Sequence, residues 1–326
     1  MTDRHDTEDF FQMLRIRRVE EAIARRYPEG QMRTPVHLCI GQEATPVGVS
    51  SCLRVDDKVL SGHRSHGQYL AKGGDLPRML AELYGKASGC SRGIGGSQHL
   101  IDLECGFLGS APILSSTLAI GVGVGWALRH RGTDAVSVVY FGDAATEEGV
   151  FHEAMSFASL HALPVLFICE NNGYSTHSPL SVRQPDRPIS RLGLAHNVPG
   201  VDLDGNDVVA VRNAAMSAVD RARAGGGPTF LVCETYRWLE HVGPNSDTHL
   251  GYRTEEEVNA WKLRDPLVTL RDRLRESHPD WAALEETFEA EIAVEVDEAF
   301  AFALRSTFPD PSELFNWVYA DVSGKQ

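Results

Sequence analysis

Asp143 closes the run VVYFGD, and Asn171 and Asn172 close the run PVLFICENN, so a carboxylate and two carboxamides follow directly on β-branched and aromatic apolar stretches. Those stretches, Val136–Phe141 and Pro164–Cys169, read as buried strands, and Glu147–His161 between them has helical character, which makes a β-α-β unit. In open parallel sheets ligands bind beyond the carboxyl ends of the strands, where loops and helix N-termini converge. Asp143 and Asn172 are therefore expected as neighbours. A carboxylate, a carboxamide oxygen and a free backbone carbonyl form the hard donor set that Mg²⁺ accepts, leaving its other octahedral positions to water and phosphate. Taken singly, a G-D-A turn and an Asn-Asn-Gly turn are ordinary loop chemistry, so the weight rests on finding both. Two nucleotide readings fail. GIGG (Gly93–Gly96) has Gln98 where a dinucleotide fingerprint needs its third glycine, and Gly85-Lys86-Ala87 lacks the Ser or Thr and the upstream Gly of a P-loop.

The elements that must position these residues follow from periodicity. Phe10, Met13, Leu14, Ile16, Val19, Ile23 and Tyr27 recur at threes and fours, which predicts an amphipathic helix over about 8–27, ended by Pro28 and Gly30. Met79–Tyr84 reads as helix, Val208–Ala224 as helix, Thr229–Glu234 as strand, and Trp281–Leu304 as one long helix. This alternation argues for a mainly parallel sheet covered by helices. With no linker and no repeat, 1–326 is expected as one domain, with a core over about 35–265 and a C-terminal helical region over about 266–326.

Composition narrows the function classes. The 326 residues carry 31 Lys plus Arg against 45 Asp plus Glu, a net charge of -14, which is the wrong sign for binding nucleic acid or an anionic membrane. Six cysteines without a C-x-x-C pair fit neither a zinc ribbon nor a disulfide scaffold, and point to a reducing cytoplasm. The acidic, polar start does not read as a secretory signal. The uncharged stretch Cys105–Leu128 has the length of a membrane span, yet its five glycines, Pro112 and hydroxyl residues predict buried helix plus loop.

G-D-A at Gly142–Ala144, residues 145–170, then N-N resembles the thiamine diphosphate signature G-D-G followed about 26 residues later by N-N. IGQEA (Ile40–Ala44), HRSHG (His63–Gly67), GCSRGIGGSQH (Gly89–His99), FGDAATEEG, ENNGYS, TYRW (Thr235–Trp238) and YRT (Tyr252–Thr254) occur in order from about Arg15 to Pro266. Together they resemble the alpha subunit of the decarboxylating component of 2-oxo acid dehydrogenase complexes. The resemblance implies a three-layer α/β/α thiamine diphosphate-binding fold, with a mainly parallel central sheet and peripheral helices. It implies Mg²⁺ on Asp143, Asn172 and the backbone carbonyl of Tyr174. Gly142, Ala144, Ala145, Leu114, His63, Arg64, Arg237 and His241 are implied around the cofactor, and His241 and His66 as catalytic histidines.

The implied reaction is decarboxylation of a pyruvate-like 2-oxo acid, with acyl transfer to lipoamide on a lipoyl-bearing acyltransferase. Pyruvate, branched-chain oxo acids and acetoin stand open as substrates, and a carrier protein or a sugar as other acceptors; a non-catalytic scaffold is disfavoured. A beta subunit, supplying the Glu that activates the cofactor, is implied in an alpha2-beta2 heterotetramer. Three departures stand out: Ala144 replaces the second Gly of G-D-G, His63 replaces a Tyr of some relatives, and Val242 replaces a phosphorylatable Ser. Pro244 and Asn245 alter the loop that follows.

Overall fold

The computed structural model describes residues 2–313 and 315–316. The chain opens with α1 (Thr2–Arg26), longer at its start than the apolar period predicts. Phe10, Met13, Leu14, Val19 and Ile23 are all buried along one face of it. Tyr27 and Pro28 tighten it into a 3-10 turn that ends on left-handed Gly30. Helix α2 (Ala44–Ser50), strand β1 (Lys58–Ser61), α3 (His66–Ala71) and α4 (Leu76–Leu83) follow. The uncharged stretch then divides into β2 (Phe107–Ser110), a loop and α5 (Ser116–His130). No helix among the described residues is long and apolar enough to cross a membrane.

The β-α-β unit read from the sequence is β3 (Ser137–Gly142), α6 (Gly149–Leu160) and β4 (Val165–Asn171), with a 3-10 turn over Asp143–Glu147. A small antiparallel hairpin, β5 (Tyr174–Ser175) and β6 (Ser178–Pro179), leads into the single turns α7 (Leu180–Arg183) and α8 (Arg191–Leu194). Strand β7 (Gly200–Asp204), α9 (Val208–Arg223) and β8 (Thr229–Glu234) complete the sheet. Helices α10 (Glu255–Lys262), α11 (Pro266–Ser277) and α12 (Trp281–Arg305) follow, and a 3-10 turn over Pro311–Glu313 comes last. Residue 314 and everything past 316 in the expected C-terminal helical region lie outside the described residues.

The six-stranded sheet has the order β2-β1-β3-β4-β8-β7, and every pair in it is parallel. Strand alternation splits the core between its faces. Val138, Tyr140, Leu166 and Ile168 join a cluster with α1, α4, α9 and α12, whereas Val139, Phe141, Val165 and Phe167 join one with α5 and α6. This is a three-layer α/β/α arrangement. On the outer side of α5 and α6, Ile120, Trp126, Phe157 and Leu160 are exposed, and the Trp126 and Phe157 rings lie 5.4 Å apart.

Two buried polar knots tie the helices to the sheet's loops. Arg17 on α1 holds Glu43, beside the start of α2, and Asp265, the residue that caps α11. Glu82 on α4 accepts four backbone N–H bonds, from Ser91, Gly93, Gly95 and Gly96, at 2.8–2.9 Å. The glycine-rich segment thus wraps a single carboxylate, and a Cβ at Gly89 would stand 2.2 Å from its Oε2. Gly93 and Gly96 need φ of 76° and 64° to make the wrap. Glu82→Gln turns an acceptor into a donor facing N–H groups. It should lower the unfolding free energy by about 3 kcal/mol, read as a lower urea midpoint at unchanged slope.

Candidate active site

Strands β3 and β4 pair with Gly142 opposite Glu170, so Asp143 and Asn172 leave the same edge of the sheet. They line one cavity of about 350 Å³. Of the residues expected there, His63, Arg64, Leu114, Gly142, Asp143, Ala144, Ala145, Asn172, Tyr174 and His241 all stand in its wall. The single-turn helix after β3 puts Asp143 first, and the N–H groups of Ala144 and Ala145 open that turn. Ser115, in the left-handed region at φ 62°, donates its hydroxyl to Ala145 O at 3.0 Å. That bond joins the loop bearing Leu114 to the turn bearing Asp143.

One part of the wall is an oxygen cluster. The Asp143 carboxylate is almost wholly buried; burial pushes its pKa up, and Arg183 offsets this in part. Thr146 donates to Asp143 O at 2.7 Å, and Asn172 Oδ1 accepts the Tyr174 N–H at 3.1 Å. The Tyr174 hydroxyl donates to Glu257 at 2.8 Å, and the residue lines the cavity. Asp143 and Asn172 supply a carboxylate and a carboxamide in one wall, which suits a hard divalent cation.

The other part is cationic and imidazole-rich. Arg64 is buried, donates to Leu38 O at 2.6 Å and His241 O at 3.3 Å, and forms no ion pair among the described residues. Burial, with Arg237 near, lowers its pKa to about 10, so it stays charged at neutral pH. His37, His63 and His241 stand edge to face, with ring centroids 4.6–5.2 Å apart. Burial first, then Arg64, pulls them to about 2, about 4 and about 3 respectively. All three are therefore neutral, each offering one N–H and one lone pair. A buried cation beside neutral donors is built for an anion.

Two expected residues stand elsewhere. His66 is fully buried behind the wall, Nδ1 against Glu20 at 2.5 Å and Nε2 against the Ser97 hydroxyl at 2.7 Å. Both ring nitrogens are engaged, so its position is that of a support for the segment carrying Gln98, not of a group facing the cavity. Arg237 is also buried outside the wall: it donates to Leu239 O, Asp247, Thr176 O and the Tyr252 hydroxyl. Through Thr176, which lines the cavity, it fixes the rim.

Sequence reading missed His37, Gln42, Gln98 and Glu170, all in the wall. Gln42 lies inside IGQEA and Gln98 inside the glycine-rich motif, and Glu170 precedes the Asn pair, so their motifs were the available signal. Burial raises the pKa of Glu170 to about 8 despite Arg64 nearby, which makes it a neutral hydrogen-bond donor at pH 7. It is held by the Gln68 amide at 2.7 Å.

Comparison with known proteins fits this geometry. Residues 11–312 match the family model described as the dehydrogenase E1 component. The alpha subunit of acetoin:2,6-dichlorophenolindophenol oxidoreductase of Bacillus subtilis (strain 168) is 37% identical over 94% of this chain and 91% of its own. The pyruvate dehydrogenase E1 component subunit alpha of Zymomonas mobilis is 38% identical over 96% and 88%. That of Rhizobium meliloti is 36% identical over 95% and 88%. With a parallel α/β/α fold, an Asp–Asn oxygen cluster at the strand ends and near-complete coverage of these relatives, this chain belongs to the dehydrogenase E1 component family, as an alpha subunit of the 2-oxo acid dehydrogenase type.

Proposed function

We propose that the cavity holds a Mg²⁺-bound diphosphate, and that this chain works with a beta subunit to decarboxylate a 2-oxo acid. Membership of the family implies the use of thiamine diphosphate. The observation that carries the reading is Arg64, a buried guanidinium without an ion pair among the described residues, in the same cavity as the buried carboxylate of Asp143. The Arg64 charge stands uncancelled, which suits an anion, and the Asp143 carboxylate, paired among the described residues only with Arg183, suits the divalent cation that a diphosphate carries.

The residues present fit that group. Asp143, Asn172 Oδ1 and the Tyr174 carbonyl would hold Mg²⁺; Arg64, His63 and the N–H groups of Ala144 and Ala145 would hold phosphate oxygens. Gly142 leaves open space where a Cβ would stand, and Leu114 supplies an apolar wall. When bound, the cofactor supplies an electron sink for the carbon that loses carbon dioxide. Neutral His241 can donate its ring N–H or accept a hydrogen bond at its lone pair, and protonated Glu170 can donate a hydrogen bond. Arg237 and His66 act as positioning residues through Thr176 and Ser97.

The relatives are named for pyruvate and for acetoin, so these are the two substrates to assay. A lipoyl-bearing acyltransferase is the proposed acyl acceptor. The six free thiols support a reducing, cytoplasmic setting.

Co-purified with its beta-type partner, thiamine diphosphate and Mg²⁺, the chain should decarboxylate its oxo acid. Asp143→Ala should lower kcat at least about a hundredfold; full activity in that variant would refute the metal assignment. A pH prediction follows from the imidazoles. Their folded values lie below the ordinary 6.5, so between about pH 7 and about pH 2 the unfolded chain binds more protons than the folded one. The stability they contribute is complete above that window and is lost as pH falls through it. The urea midpoint should drop with acidification, and less steeply when His37, His63 and His241 are all replaced by Gln.

A further inference from the structure

Asp143 has a side-chain partner that the metal reading does not use. Arg183, at the end of α7, pairs with Asp143 Oδ2 through one guanidinium nitrogen and with Glu147 Oε1 through the other. The Arg183 side chain is 11% exposed and that of Asp143 2%, so this is a desolvated pair, not a surface contact. Its neighbour Gln184 donates to Glu147 at 2.9 Å and Thr146 at 3.0 Å. The α7 segment is thereby pinned to the turn that carries Asp143.

We propose that Arg183 is an internal competitor for the metal site: guanidinium and divalent cation are alternative partners of the Asp143 carboxylate. This rests on the assignment of Asp143 as a metal ligand. Two cations on one buried carboxylate repel each other with little solvent screening. Metal entry therefore releases Arg183 from Asp143. The released charge is not stranded, because Glu147, with a side chain 33% exposed, already holds the other guanidinium nitrogen in a wetter place. Gln184 keeps the segment anchored during the exchange. The swap breaks and forms no covalent bond: one unit of positive charge leaves the carboxylate and two arrive. The measured metal affinity is then the intrinsic affinity less the free energy of this ion pair, which sets a threshold below which the cavity stays closed to metal.

The test uses the full chain with its beta subunit and saturating thiamine diphosphate, titrated with Mn²⁺ and followed by electron paramagnetic resonance. Arg183→Gln should bind Mn²⁺ roughly tenfold more tightly than wild type. Glu147→Gln removes the resting place of Arg183 and should bind it several-fold more weakly. These opposite signs separate competition from a general loosening of the fold, which would weaken both variants. Equal or weaker binding by Arg183→Gln overturns the proposal while leaving the metal site intact. If wild type itself shows no Mn²⁺ signal that Asp143→Ala abolishes, the metal assignment fails, and the competitor with it.

Discussion

The parallel pairing of β3 with β4 is the constraint on which the rest depends. Six consecutive residue pairs, from Ser137 opposite Val165 to Gly142 opposite Glu170, hold the two strand ends level. A slip of one residue would turn the side chains of the strand that moved, Phe141 on β3 or Cys169 on β4, to the opposite face and part Asp143 from Asn172. The register is locked from one side by α5, which lies unusually close to the sheet. A Cβ at Gly121 would stand 2.0 Å from Val139 Cγ2, and one at Gly125 2.5 Å from Val165 Cγ2. The small residues that argue against a membrane span in Cys105–Leu128 are what let the helix press on the strands.

Around that edge the molecule separates charges that are used up from one that is kept. Arg17 is taken by Glu43 and Asp265, Arg223 by Asp57, and Arg237 and Arg253 share Asp247. Although burial alone would raise the pKa of Asp247, Tyr252, Arg253 and Arg237 hold it low. These pairs join elements far apart in sequence and offer nothing to a ligand. Arg64 departs from the pattern: its bonds go to carbonyl oxygens, which accept a cation's hydrogens without cancelling its charge. The depressed imidazoles around it follow first from burial and then from the same uncancelled charge.

Much of this was legible in the residues. β3, β4 and β8 are continuous apolar runs, and strands buried on both faces announce themselves that way. Asp143 and Asn172 could be placed because they end such runs. β7 was not legible, since GVDLD carries two acids and lies at the sheet edge, where one side of the strand meets solvent. β1 was too short to show a period. His66 and His63 share one motif, yet one is a buried strut and the other lines the cavity; sequence spacing does not say which way a side chain turns. The roles of Arg183 and Glu170 depend on partners brought together by folding, Asp143 in one case and Gln68 in the other.

The bare strip formed by Ile120, Trp126, Phe157 and Leu160 has a consequence for how the chain is made. Left uncovered, such a strip promotes clumping, and misassembled chains are cleared by the cell's proteases. Copies made in excess of whatever covers the strip would be lost to this route.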